Sequence, residues 1–334
     1  MARPPETRTR SDETEDVAEV APLPRRPRTL DLVGKRNWFF LLSLVIIIPG
    51  IVSLVTQGFL LGIDFSGGTS FDVTFGRPVT LQEVQGAVDQ QFGGGLVQQA
   101  GNGDYIIRTQ SLDPIQQKSF EDRLGKALNT TVNVKSVDNV GPTIANEIIT
   151  GALLALITAS LAILLYLTFR FRRVQGGGWA GLQFGGSALL ALLHDVFLLT
   201  GVFSILGKGI PFLGWHGSQL GQVDSLFLTA VLTVVGFSVH DTIVIFDRIR
   251  ENMIVAQRLT FEQIVNLSIM QSAARSIITS FTVVLVLLSL FLFGGDTLKG
   301  FVLALLIGII SGTYSSIFNA APLLVVMRRL WPVR

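Results

Sequence analysis

The sequence predicts an α-helical polytopic membrane protein in which six transmembrane helices carry one small α+β domain between the first and the second. Three observations predict it. Apolar residues make up 49% of the 334-residue chain and charged residues only 15%, against about 25% charged in soluble domains; the mean hydropathy is +0.54. The apolar residues gather in six runs, each near the ~20 residues that a hydrocarbon core of about 30 Å demands. A polar stretch with the patterning of a soluble domain separates the first run from the second.

Residues 1–36 are rich in Pro, Arg, Glu and Thr and poor in large apolar side chains. They bury too little surface to fold and read as a disordered cytoplasmic tail. The first apolar run, Trp38 to Thr56, follows Arg25, Arg26, Arg28, Lys35 and Arg36. It is too long and begins too late for a cleavable signal peptide, so a transmembrane helix is expected over 37–57. Pro49 and Gly50 predict a kink within it.

Residues 58–143 form the α+β domain. Phe71, Val73 and Phe75 alternate as in a half-buried strand, and Thr80 with Glu83 three residues on marks the start of a helix running to Phe92. Leu96 to Ala100 and Tyr105 to Gln110 flank Gly101-Asn102-Gly103-Asp104, a hairpin signal because Asn and Gly accept positive φ. Helical spacing over Ile115 to Leu128 and alternation over Thr131 to Val137 complete a β-α-β-β-α-β order, the ferredoxin-like plan. Nothing in this stretch resembles a catalytic constellation.

Residues 144–334 hold the other five runs, at about Ile148 to Phe169, Phe184 to Leu206, Ser225 to Phe246, Ser276 to Phe293 and Leu298 to Val326. Arg170, Arg172 and Arg173 follow the second run, Arg248, Arg250 and Arg258 the fourth, and Arg328, Arg329 and Arg334 the sixth. The connections after the third and fifth hold only Lys208 and Lys299. Basic residues favour the cytoplasm, so both termini and the two Arg-rich loops are expected there, with the α+β domain on the other side.

Composition narrows the function. The net charge of +2 could suggest nucleic acid, but Lys and Arg cluster beside apolar runs and no basic, aromatic-interleaved surface stands out. Without cysteine there is no disulfide, thiolate metal site or cysteine nucleophile. His194, His216 and His240 are too scattered to form a metal cluster on their own, and no cofactor is expected.

Ionisable residues inside the runs are the candidate site. Gly236 to Asn252 reads GFSVHDTIVIFDRIREN and places His240 and Asp241 in a segment otherwise fit to span a bilayer. An acidic side chain there costs about 2.5–3.5 kcal/mol on insertion scales, which points to a bundle-facing site for an ion, a proton or a counter-charge. A neutral acid bonding a neighbouring helix is the plainer alternative. Counted back from Phe246 at 1.5 Å per residue, Asp241 lies about 8 Å inside the cytoplasmic exit. Arg275 opens the fifth run from that same side; its long stem either snorkels or reaches about 6–7 Å inward, toward the level of Asp241. His194-Asp195 at mid-depth of the third run raises the choice between a proton relay and a structural hydrogen bond, and so does His240. Phe261, Ile264, Val265 and Ile269 suggest an amphipathic segment on the cytoplasmic face between the fourth and fifth runs. Ser311-Gly312-Thr313-Tyr314-Ser315-Ser316 and Asn319 read as a packing face.

Together these stretches resemble the SecF family of membrane subunits of the bacterial Sec protein-export machinery, itself related to RND-type transporters. The matching residues are Gly62 to Thr69 (GIDFSGGT), Val140-Gly141-Pro142, His194-Asp195-Val196, Asp241-Thr242, Phe246 to Glu251 and Gly312 to Phe318. The resemblance implies an RND-like half of six helices, with Asp241 and Arg275 as the proton-coupling pair. Family members usually carry Asn before that aspartate, where this chain has His240. It also implies SecD, the SecYEG channel and the SecA motor as partners and a preprotein as substrate. Location in the bacterial cytoplasmic membrane and use of the proton-motive force follow, with no enzymatic activity of its own. The alternative class is an RND-type ion-coupled component of small-molecule efflux. An outer domain of about 80 residues leaves little room for the pocket of 300–1,000 Å³ that this would need.

Overall fold

The computed structural model describes residues 30–99, 103–174, 177–210, 213–215 and 217–332. The hairpin tip at 100–102 and His216 lie outside the described residues, as does the expected tail up to residue 29.

The first span, α1 (Arg36–Gln57), leads through the two-residue strand β1 (Leu60–Leu61) and a single turn, α2 (Ile63–Ser66), into the α+β domain. That domain comprises β2 (Gly68–Phe75), α3 (Leu81–Phe92), β3 (Leu96–Gln99), β4 (Asp104–Thr109), the short α4 (Pro114–Lys118), α5 (Phe120–Leu128) and β5 (Val132–Val140). Then follow α6 (Pro142–Arg170), α7 (Gly177–Lys208), β6 (Gln222–Val223), α8 (Ser225–Val255), α9 (Phe261–Phe293), α10 (Asp296–Ser315) and α11 (Ala321–Leu330). Among the described residues six helices are long and apolar enough to cross a membrane, as the hydropathy predicts. The last of them, Thr297–Leu330, runs through α10 and α11 and is interrupted by one π-helical turn, Ser316–Ala320.

In the α+β domain the strand order is β3-β4-β2-β5, with every neighbouring pair antiparallel. This is the β-α-β-β-α-β connectivity read from the alternation. Thr80 and Glu83 form the reciprocal capping box that starts α3, satisfying two otherwise orphaned amides. Phe71, Val73 and Ile107 of the sheet pack against Val84 and Val88 of α3 and Phe120 and Leu124 of α5, with the Phe71 and Phe120 rings stacked at 3.6 Å. Ser119 divides the helical stretch expected over Ile115 to Leu128 into α4 and α5.

β1 and β6 pair in parallel, and the Gly62 amide donates to the Val223 carbonyl at 2.8 Å. The chain leaving α1 is thereby stitched to the chain entering α8. Gly67 and Gly68 turn from α2 into β2 at φ of +68° and +127°, backbone angles open to glycine and closed to most side chains. A Cβ on Gly68 would also run into the Thr109 carbonyl.

In the bundle the broken last span and α8 are the most enclosed, and α6 is the least. α1 crosses α7 at two glycines: a Cβ on either Gly50 or Gly201 would lie 2.7 Å from the Cα of the other. One turn on, the Ser53 and Ser204 hydroxyls bond at 2.8 Å. Small residues let backbones meet this closely. Gly201→Leu is therefore expected to force the helices apart at a cost of about 1–3 kcal/mol, read as a lower melting midpoint of the detergent-solubilised protein. An unchanged midpoint would mean that α1 is free to shift.

Two expectations are corrected here. Residues 32–36 do not belong to a disordered tail, because Val33 is buried in the bundle core and the Leu32 and Val33 amides donate to Asn266 Oδ1 at 2.9 and 3.3 Å. The amphipathic segment is not a separate element. Phe261 to Ile269 form the first turns of the 33-residue α9, whose Ile264, Val265 and Ile269 join the same core. A helix in water continues past the bilayer wherever it has a core to pack on.

Candidate ion-coupling site

Helix α8 carries the site. Asp224 caps its first turn, accepting from the Phe227 amide at 2.8 Å, and the buried face beyond includes Ser238, Asp241, Thr242, Ile245 and Phe246. So broad a contact face turns polar side chains inward with the apolar ones. Asp241 is 4% exposed. The hydroxyls of Ser276 and Ser280, one turn apart on α9, face its carboxyl. Oδ2 of Asp241 and Oγ of Ser276 are both enclosed without a hydrogen-bond partner among the described residues. Ser280 Oγ accepts from Thr313 Oγ1 of α10 at 2.6 Å, so the acid stands where three helices meet.

Arg275 does not stand beside it. The guanidinium that the sequence places within reach of Asp241 belongs to the exposed side of α9, and Ser276, the next residue, takes the inward position. Consecutive helical residues point about 100° apart, so depth in the membrane does not settle direction. His240 is likewise exposed, on the outer side of α8.

Among the described residues the most fully bonded acid is Asp195 on α7, which is 1% exposed. Its Oδ2 accepts from Ser238 Oγ of α8 and Ser315 Oγ of α10, both at 2.6 Å. Its Oδ1 accepts from Ser311 Oγ at 2.7 Å and meets His194 Nδ1 at 3.0 Å. The seryl stretch read as a packing face is thus also a hydrogen-bonding one. Beside it the hydroxyls of Thr242 and Ser316 bond at 2.9 Å, within the π turn, a feature that often marks functional sites. Ser311 and Ser315 stand at i and i+4, the one local signal in the sequence of a shared target.

A second polar cluster joins the α+β domain to the start of α8. Arg108 of β4 donates to Gln222 of β6, and Asp64 Oδ2 accepts from the Ser225 amide at 2.9 Å. Asp64, Arg108 and Gln222 line, with Asp138, Asn139 and Asp224, a cavity of about 350 Å³. Burial raises the Asp224 carboxyl above the ordinary 3.8 and the nearby Asp64 charge adds to this, while the Phe227 amide opposes it. Burial also lowers the Arg108 guanidinium from its ordinary range, against the pull of Asp224. A carboxyl that binds its proton more readily folded than unfolded favours the folded state at low pH, and that contribution is lost as pH rises through the folded value. Asp224→Asn is expected to flatten this part of the melting-midpoint profile above pH 3.8. A profile identical to that of the wild type would remove Asp224 from the account.

Residues 120–330 match the family described as Protein export membrane protein SecD/SecF, C-terminal. The chain belongs to the SecD/SecF family. Residues 52–79 match a second signature, the SecD/SecF GG Motif, which contains the Gly67-Gly68 turn described above. Among SecD/SecF relatives, the protein translocase subunit SecF of Thermobaculum terrenum is 44% identical over 308 residues, covering 89% of this chain and 93% of that one. The SecF of Pseudomonas aeruginosa is 36% identical over 300 residues, covering 89% and 91%. The crystal structure of SecDF, a translocon-associated membrane protein from Thermus, matches with a TM-score of 0.75 at 28% identity. That match covers 91% of this chain and 39% of the SecDF chain, so this SecD/SecF member spans well under half of its solved relative.

Proposed function

We propose that the chain is an auxiliary subunit of the Sec protein translocase that works with SecD in the bacterial cytoplasmic membrane and uses the proton-motive force to promote preprotein export. The SecYEG channel and SecA are its wider partners, and the polypeptide it helps to move is a preprotein. Both termini face the cytoplasm, and the α+β domain faces outward. The chain performs no bond-making chemistry of its own. The observation that carries this reading is an enclosed carboxyl, Asp241, set between α8 and α9 in a SecD/SecF member.

Asp241 has two alternative sets of partners. Ser276 and Ser280 suit the neutral acid, which needs hydrogen bonds and no counter-charge. Arg275, one residue away on α9, suits the carboxylate. Loss of the proton favours a swing of Arg275 or a small rotation of α9, and proton binding reverses it. α8 transmits the change, because its first turn is held by Asp64 and its capping Asp224 lines the same junction cavity as Arg108 of the α+β domain. The exposed Arg275 and His240 mark sides of the helices left open for the SecD half.

The test is copurification of the chain with SecD and SecY, followed by preprotein export into inverted membrane vesicles containing or lacking it. Export that responds to the ion gradient only when the chain is present supports the reading. A gradient response that is the same without it overturns the reading.

A further inference from the structure

Asp241 is not the only acid enclosed in the bundle, and the surroundings of Asp195 differ from its own in a way that defines a role. Asp195 accepts three seryl hydroxyls, from Ser238, Ser311 and Ser315. An ionised carboxylate offers about four acceptor positions and no donor; His194 Nδ1 at 3.0 Å from Oδ1 occupies the fourth. The ring nitrogen facing a carboxylate is the one that carries a hydrogen, which fixes the tautomer with a lone pair on Nε2. Nε2 is buried and has no hydrogen-bond partner among the described residues, and the side chain as a whole is only 10% exposed. In that form the pair carries one unbalanced negative charge deep in an apolar bundle, and a proton on Nε2 is what would neutralise it.

We propose that His194 and Asp195 form a second proton-binding site of this membrane protein, in which the proton is carried on His194 Nε2 while Asp195 stays ionised. The inference rests on the export reading given above and deepens it. In the step itself the Nε2 lone pair takes up a proton and imidazole becomes imidazolium. Nδ1–H stays on Asp195, no other bond changes, and the charge of the pair goes from minus one to zero. Among the described residues Tyr314 also faces the imidazole, its ring centroid 6.2 Å away; its hydroxyl is committed to the Phe39 carbonyl at 2.9 Å. Asp241 is three residues beyond Ser238 on α8 but faces α9. The charge on the pair reaches the packing of three helices, because the serines that hold Asp195 belong to α8 and α10. It reaches α8 one turn from Asp241, so the two sites bias the same helix.

His194→Asn separates this role from a structural one, since the Asn amide donates near the position of Nδ1 but takes up no proton. With SecD present and assembly verified, gradient-dependent export should fall at least tenfold in His194→Asn. Infrared difference spectra of the full complex, with histidine isotope-labelled in this chain alone and His216 and His240 replaced by Gln, should show the labelled imidazole gaining and losing a proton as the pH is varied. Wild-type gradient-dependent export in His194→Asn overturns the proposal. So does an imidazole that holds one protonation state throughout, a result that stands even where the Asn variant assembles poorly. Normal gradient-dependent export in Asp241→Asn together with a titrating His194 would instead count against the Asp241 reading alone.

Discussion

Asp241→Asn should give an assembled complex whose export no longer responds to the ion gradient. Asn is nearly isosteric with a protonated carboxylic acid and can still bond Ser276 and Ser280, so packing among α8, α9 and α10 is kept while the site is fixed without charge. The gradient-dependent part of preprotein export in vesicles supplied with ATP is expected to drop at least tenfold, a change of about 1.4 kcal/mol or more in coupling. The ATP-driven part should remain. Arg275→Lys is the companion variant: Lys keeps the charge but lacks the planar fork that grips a carboxylate through two bonds, so an intermediate loss is expected. Arg275 is exposed, and its replacement should leave the melting midpoint alone. Normal gradient-dependent export by Asp241→Asn would move the coupling role elsewhere, first to Asp195 and its histidine.

The largest effect on stability is expected at Asp195. Removing its carboxyl in Asp195→Ala strands three seryl hydroxyls and an imidazole at the meeting of α7, α8 and α10. Ser315 already reaches back to the Gly312 carbonyl at 3.2 Å, so part of the loss is recovered within its own helix. The net cost is about 2–4 kcal/mol, which corresponds to a melting midpoint lower by about 5 °C in a chain of this size. Asp195→Asn retains one acceptor oxygen and should fall between. A midpoint for Asp195→Ala equal to that of the wild type would show that the serines find other partners at no cost.

The six spans were legible because apolar length alone decides what crosses a bilayer. The order of the α+β domain was legible because strand alternation, the Thr80–Glu83 box and the Gly103 turn are local signals. Asp241 stood out for the same reason, as a charge in an apolar run. What faces it did not. Arg275 and Ser276 differ by one residue in sequence and by 100° around α9, and only packing decides which turns inward. The Asp195 cage was illegible for another reason: Ser238, Ser311 and Ser315 lie 43 to 120 residues from it, and a serine in an apolar run looks the same whether it pads a helix crossing or bonds an acid. Val33 was missed because Leu30, Leu32 and Val33 are too few apolar side chains, after a long polar stretch, to show a period.

The π turn in the last span bears on how the chain tolerates a change in length. A π turn accommodates one residue more than the α-helical turn it interrupts. Ser311 and Ser315 before it point at Asp195, and Leu324 and Val325 after it belong to the core. An uninterrupted α-helix with the same number of residues would turn one of these two sets about 100° away from the bundle. Ser316–Ala320 is therefore the one place in this span where a single codon can be lost with both flanks still facing as they do now, leaving a regular helix behind.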